Sequence, residues 1–158
     1  MGIPNNIPCG NCMLIAVTQS NVWFIEELFR HDDVKKYYVL RDDHAANIRS
    51  FCQYIVNSNI QNASLNYIIF NDYGDEVGFI SAEPVMNRAT GMPMWNVGYA
   101  VHPAHRRTGY ASSAVTGLSN YLLQNFSFQQ VMLDICEDNI ASPNVATKCG
   151  FYTPVDNT

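Results

Sequence analysis

The chain lacks any apolar run near the ~20 residues that a membrane-spanning helix needs. Its opening stretch, MGIPNNIPCGNCMLIAV, has no basic segment ahead of an apolar one and does not read as a secretory signal. Positive charge is scarce: nine Lys and Arg stand against fourteen Asp and Glu, a formal net charge of -5. Affinity for a phosphate backbone rests on basic patches, so neither nucleic acid nor a membrane is the expected partner. There is no G-x-G-x-x-G and no Gly-Lys-Ser/Thr, which removes the dinucleotide fingerprint and the Walker loop. Internal repeats and low-complexity tracts are also missing. The five cysteines, at 9, 12, 52, 136 and 149, are odd in number and scattered. They suit free thiols in a reducing compartment, and a cytoplasmic location is the expectation. CGNC (Cys9 to Cys12) lacks the second Cys or His pair that a zinc site needs, so no metal is expected. The motif also precedes a strand instead of opening a helix, unlike a thioredoxin-type pair, and is given no role.

What is present suits a compact domain. The length of 158 residues and a 47% hydrophobic content allow one real core without staples. Residues 1–12, rich in Pro, Asn and Gly, are expected as a loose arm, and MLIAV (13–17) as the first strand. Ser20 is placed to cap a helix running to Arg30, with Trp23, Phe24 and Leu28 inward. A second helix is expected from Asp42 or Asp43, its Ile48, Phe51, Cys52 and Ile55 falling on one stripe. LNYIIF and VGFISAE, joined by NDYGDE, read as an antiparallel hairpin, and WNVGYAV (95–101) as the next strand. A helix from Thr108 to about Asn125, a strand over 130–135 and a short helix in SPNVATKCGF complete the order β-α-α-β-β-β-α-β-α. That order specifies an α/β fold with one mixed central sheet flanked by helices.

Two of the nine positive residues adjoin in HRRTGYASSAV (105–115), directly ahead of a glycine and a small-residue run, between a strand and a helix. The first amides of a helix have no intrahelical partners, and its dipole makes that end partly positive. Gly109 has no Cβ and would let an anion reach the backbone, while Arg106 and Arg107 add donors at the rim. This makes a pyrophosphate cradle; a solvated arginine pair capping a turn fits the same residues.

GYAVHPAHRRTGYASSAV resembles the acetyl-CoA-binding motif Arg/Gln-x-x-Gly-x-Gly/Ala of the GNAT superfamily of N-acetyltransferases, with Arg106, Gly109 and Ala111 in its three places. DICEDNIASPNVATKCGF is similar to the strand and helix that follow, and the combination resembles the ribosomal-protein N-terminal alanine acetyltransferases. The resemblance implies one N-acetyltransferase domain over residues 13–158, with acetyl-CoA as co-substrate. The backbone of Tyr99 and Val101 would pair with pantetheine. The amides of Arg107, Thr108, Gly109, Tyr110 and Ala111 would hold the pyrophosphate, and Asn139 would line the inner end. The acceptor would be a primary amine, on a small molecule or a peptide N-terminus, attacking the thioester directly. Many members carry a tyrosine acid four residues before the closing glycine; here that residue is Ala146, and Ser142 is the substitute candidate. Glu137 leads as base, ahead of Glu83 and His102. Only YTPVDNT follows Phe151, where the family continues for two strands; a short or truncated C-terminal strand region, a homodimer whose partner covers the edge, and an unusually open acceptor site each fit that ending. The same features suit a rival, a non-catalytic acyl-CoA-binding or regulatory module.

Overall fold

The computed structural model describes residues 3–38, 40, 42–106, 108–126 and 130–133. Its strands are β1 (Asn6–Cys9), β2 (Cys12–Ala16), β3 (Leu65–Asn71), β4 (Glu76–Met86), β5 (Pro93–Val101) and β6 (Val131–Leu133). They form one sheet in the order β1-β2-β3-β4-β5-β6. Each neighbouring pair is antiparallel except β5 and β6, which are parallel. A parallel neighbour needs a crossover, and α5 (Tyr110–Asn125) supplies it. The fold is the mixed α/β sheet expected, with two differences near the N-terminus, and the short helix expected in SPNVATKCGF lies outside the described residues.

The first difference corrects the loose arm. Asn6–Cys9 is a strand, pairing with β2 from Asn6 opposite Ile15 to Cys9 opposite Cys12. Its burial alternates, with Ile7 and Cys9 inward. Pro8 is tolerated because β1 lies at the sheet edge, where a missing amide costs little and blunts further pairing. The second difference lies in the helices. The segment between β2 and β3 holds four: α1 (Trp23–Leu28), α2 (Asp32–Tyr37), α3 (Asp42–Ala46) and α4 (Ile48–Ile60). Ser20 caps none of them. Its amide donates to Thr18 Oγ1 at 3.2 Å in a turn that precedes α1, and Trp23 is 51% exposed. The helix expected from Asp42 is split, because the Asn47 side chain accepts from the amides of Arg49 (3.1 Å) and Ser50 (3.4 Å) and starts α4 afresh.

β3 is covered on both faces, which explains its nearly unbroken apolar run. One face carries α5, whose Ala114, Val115, Leu118 and Leu122 pack on Leu14, Tyr67, Ile80 and Val97. The other carries α1, α2 and α4, with Phe24, Leu28, Phe29, Phe51 and Ile55 over Ile68, Phe79 and Ala100. Burying each such side chain contributes about 1.5–3 kcal/mol. Two polar side chains inside this core are satisfied by each other. Asn59 donates to the carbonyls of Val17 and Asn66, both at 2.9 Å, and accepts from the Asn66 amide at 2.9 Å.

Candidate anion and acyl-donor site

The site is the turn between β5 and α5. β5 ends at Val101, opposite Gly78. The next amide, of His102, donates to the Val77 carbonyl at 2.8 Å and carries the sheet's hydrogen bonding one residue further. His102 Nδ1 then accepts from the Ala104 amide at 3.1 Å and caps a single 3-10 turn, Pro103–His105. Thr108 Oγ1 donates back to the His105 carbonyl at 2.6 Å, and Asn11 Nδ2 donates to the Thr108 carbonyl at 3.4 Å. The loop is thus held from both sides before the helix begins.

Gly109 caps α5 at φ 83° and ψ 2°, left-handed backbone in which a Cβ costs about 1–2 kcal/mol. A Cβ there would meet only Asn11 Nδ2, at 3.7 Å, so the glycine is required by conformation and not by crowding. Gly109 offers no side chain to cap the helix, and no acidic residue stands in its first turn. Helices normally fill those places with Ser, Thr, Asp or Asn and with carboxylates. α5 leaves its positive end to something else, which is the condition for receiving an anion.

Three histidine rings gather beside the turn. The ring of His102 lies 4.6 Å from that of His31 and 5.9 Å from that of His105, and His105 lies 6.5 Å from Tyr110. Burial first, then the neighbouring His31, His105 and Arg106, hold the His102 pKa below the ordinary histidine value. The Arg106 side chain, expected to aim donors at the anion, turns inward: Nε donates to the Val101 carbonyl at 3.2 Å and a terminal nitrogen lies 3.8 Å from Asp33 Oδ2. It ties the loop to the strand end and to α2 while keeping its charge beside the helix terminus.

Of the other expected residues, Tyr99 and Val101 lie on β5 opposite Ile80 and Gly78, and Tyr110 and Ala111 open α5, both half-buried. Among the described residues the β5–β6 ladder runs from Trp95 opposite Val131 to Val97 opposite Leu133, short of the end of β5 at Val101. Glu83 stands exposed on β4 opposite Asn96, away from the turn, whereas His102 is built into it. Arg107, Glu137, Asn139 and Ser142 lie outside the described residues. The sequence reading missed His31, Asp33 and Asn11. Asn11 meets Thr108 across 97 positions, a separation that no local motif encodes. Among the described residues no group of three or more His, Cys, Asp or Glu could hold a metal ion, and no helix is long and apolar enough to cross a membrane.

Among the described residues the strand β5 of a mixed sheet runs on to a glycine-headed helix N-terminus, an arrangement able to receive an anion. Residues 14–152 match the acetyltransferase (GNAT) domain family, and the chain belongs to that family. No curated protein matches the chain by sequence. Solved structures share the fold at low identity. The acetyltransferase from Salmonella typhimurium that modifies the N-terminal serine of ribosomal protein L7/L12 is 17% identical over 92% of this chain and 83% of its own, with a TM-score of 0.71. The ribosomal-protein-S5-alanine acetyltransferase from Vibrio fischeri is 14% identical over 93% and 82%, with a TM-score of 0.73. The microcin C7 self-immunity acetyltransferase, solved with acetyl-CoA and AMP, is 17% identical over 94% and 83%, also with a TM-score of 0.73.

Proposed function

We propose that this chain is an N-acetyltransferase that moves the acetyl group of acetyl-CoA to a primary amine. The observation that carries the reading is the N-terminus of α5: a left-handed glycine, no capping side chain and no first-turn carboxylate, beside three histidines and Arg106. Amides of Thr108 to Ala111, with that of Arg107, hold the diphosphate of the donor, and the backbone of Tyr99 and Val101 pairs with its pantetheine arm as an added strand would. Asn139 lines the inner end of that arm.

The amine nitrogen attacks the thioester carbonyl; the C–N bond forms, the C–S bond breaks, and coenzyme A leaves as a thiolate. An ammonium cannot attack, and free amines titrate near ~8 at a peptide N-terminus and near ~10.4 on a lysine-type side chain, so a base is needed. Glu137 takes that proton and Ser142 returns one to the thiolate, the place where Ala146 offers nothing. A backbone amide of β5 steadies the tetrahedral oxyanion, a contribution of about 3 kcal/mol for one good donor. The acidic surface favours a cationic acceptor, a polyamine or a basic peptide N-terminus, in line with the peptide termini modified by structural neighbours.

The test follows free thiol release with acetyl-CoA and a panel of polyamines, aminoglycosides and N-terminal peptides. Saturable release with one class supports the reading. Acetyl-CoA binding with no release across the panel contradicts the enzyme and supports an acyl-CoA-binding module.

A further inference from the structure

CGNC, which the anion site leaves unused, closes the β1–β2 hairpin. Gly10 takes the left-handed φ of 66° while Asn11 does not, the pattern of a type II′ turn with glycine first. Cys9 and Cys12 stand directly opposite one another across it. The pair closing such a turn has its Cα atoms about 5.5 Å apart, inside the about 4.4–6.8 Å span of disulfides. Both thiols share the face toward α5, 5% and 4% exposed, in the cluster that holds Ala114 and Leu118.

Their neighbours belong to the helix that carries the cradle. Cys12 Sγ donates to the Cys9 carbonyl at 3.6 Å and points at the carbonyl of Tyr110, the first residue of α5, at 4.0 Å. Cys9 Sγ donates to the Ile7 carbonyl at 3.5 Å and sits against Gly117, where any Cβ would overlap it. Asn11, at the tip, donates to Thr108. The two thiols are chemically unequal. The neighbouring Cys12 thiol lowers the Cys9 pKa against the opposing effect of burial, while the nearness of Cys9 and burial raise Cys12. One favoured thiolate beside one resolving thiol is what thiol–disulfide exchange requires. Cys52, alone on α4 in the other core, is pushed up to about 11 by burial and has no such partner role.

We propose that Cys9 and Cys12 are a dithiol modification site that takes low-molecular-weight disulfides of the glutathione class, and that its closure weakens the grip of α5 on coenzyme A. The coupling rests on the coenzyme A reading of the cradle; the exchange does not. The Cys9 thiolate attacks one sulfur of the small disulfide, whose other half leaves as a thiolate. Cys12, its proton passing to that leaving group, then attacks the Cys9 sulfur and expels the second half as a thiolate, which takes from solvent the proton that Cys9 gave up. Two protein thiols lose two electrons, and one small disulfide becomes two thiols. Entry needs only local opening of an edge hairpin whose Gly10 is exposed. Closure draws Cys12 Sγ away from the Tyr110 carbonyl and shifts the tip that braces Thr108.

The test equilibrates the folded full chain in glutathione buffers, quenches with acid, alkylates and maps the tryptic peptide Met1–Arg30, which contains Cys9 and Cys12 and no other cysteine. The expected product is that peptide two hydrogen atoms lighter, with both alkylation sites lost together. A peptide that stays fully alkylated, or that carries single glutathione adducts, overturns the site. Coenzyme A titrations of reduced and oxidised protein test the coupling, with an affinity about fivefold weaker on oxidation and recovered with dithiothreitol. Equal affinities overturn the coupling. No binding by the reduced form overturns the cradle reading and leaves the peptide result standing. Cys9→Ser and Cys12→Ser are each expected to give an affinity indifferent to the glutathione ratio; the mapping on unaltered protein needs neither variant to fold.

Discussion

The two faces of the sheet are built in opposite ways. Among the described residues one is covered by the sixteen-residue α5, whose inward residues are Ala, Val and Leu, set close enough to the sheet for Gly117 to touch Cys9. The other is covered by short helices around an aromatic knot, with Phe29 5.2 Å from Tyr38, 5.3 Å from Phe51 and 6.3 Å from Phe79. The first seats one long helix close against the sheet through small and aliphatic side chains. The second fills space with large rings on short helices joined by turns.

If this contrast is right, the faces fail differently. Phe29→Ala empties the centre of the knot and should cost about 3–5 kcal/mol in chemical denaturation. Coenzyme A affinity per folded molecule should stay unchanged; a large loss of affinity would mean that the faces are not independent. Gly117→Ala forces a methyl into Cys9 Sγ and should cost about 1–3 kcal/mol. Unlike the first change it should also weaken coenzyme A binding, because it pushes α5 from its seat; adding Cys9→Ala should restore part of both. Asn47→Ala removes the cap of α4 and should cost about 1 kcal/mol with no effect at the cradle.

The smallest effect concerns pH. His102 has its folded pKa below the unfolded one, so the unfolded chain binds the proton more readily and protonation opposes folding. The stability tied to this residue is complete above the ordinary histidine pKa and declines as pH falls below it. His102→Asn keeps an acceptor for the Ala104 amide and should flatten the fall in denaturation midpoint between about pH 7 and 5. An unchanged slope would remove His102 from the account.

The same contrast explains what could be read from the sequence. α5 was legible from its helical stripe, β3, β4 and β5 from their β-branched and aromatic runs, and the Gly109 turn because glycine, uncharged flanks and two arginines coincide locally. The aromatic face was less so. Asp32–Tyr37 and Asp42–Ala46 are too short to show a stripe, and Asn47 hides a helix start inside what reads as one helix. β1 was missed because proline and asparagine outweigh Ile7 and Cys9 in a four-residue strand, although Gly-Asn between two cysteines is itself a hairpin signal. The inward turn of Arg106 depends on Asp33, which only the fold brings near.

The central claim is that the end of α5 at Gly109 grips the diphosphate of coenzyme A. Calorimetric titration of coenzyme A into reduced protein, unaltered and as Gly109→Val, tests it most directly. The account predicts saturable one-site binding by the unaltered chain and an affinity at least about tenfold weaker in the variant, from a strained cap and a side chain in the path of the anion. Equal affinities, or no saturable heat from the unaltered chain, would contradict it.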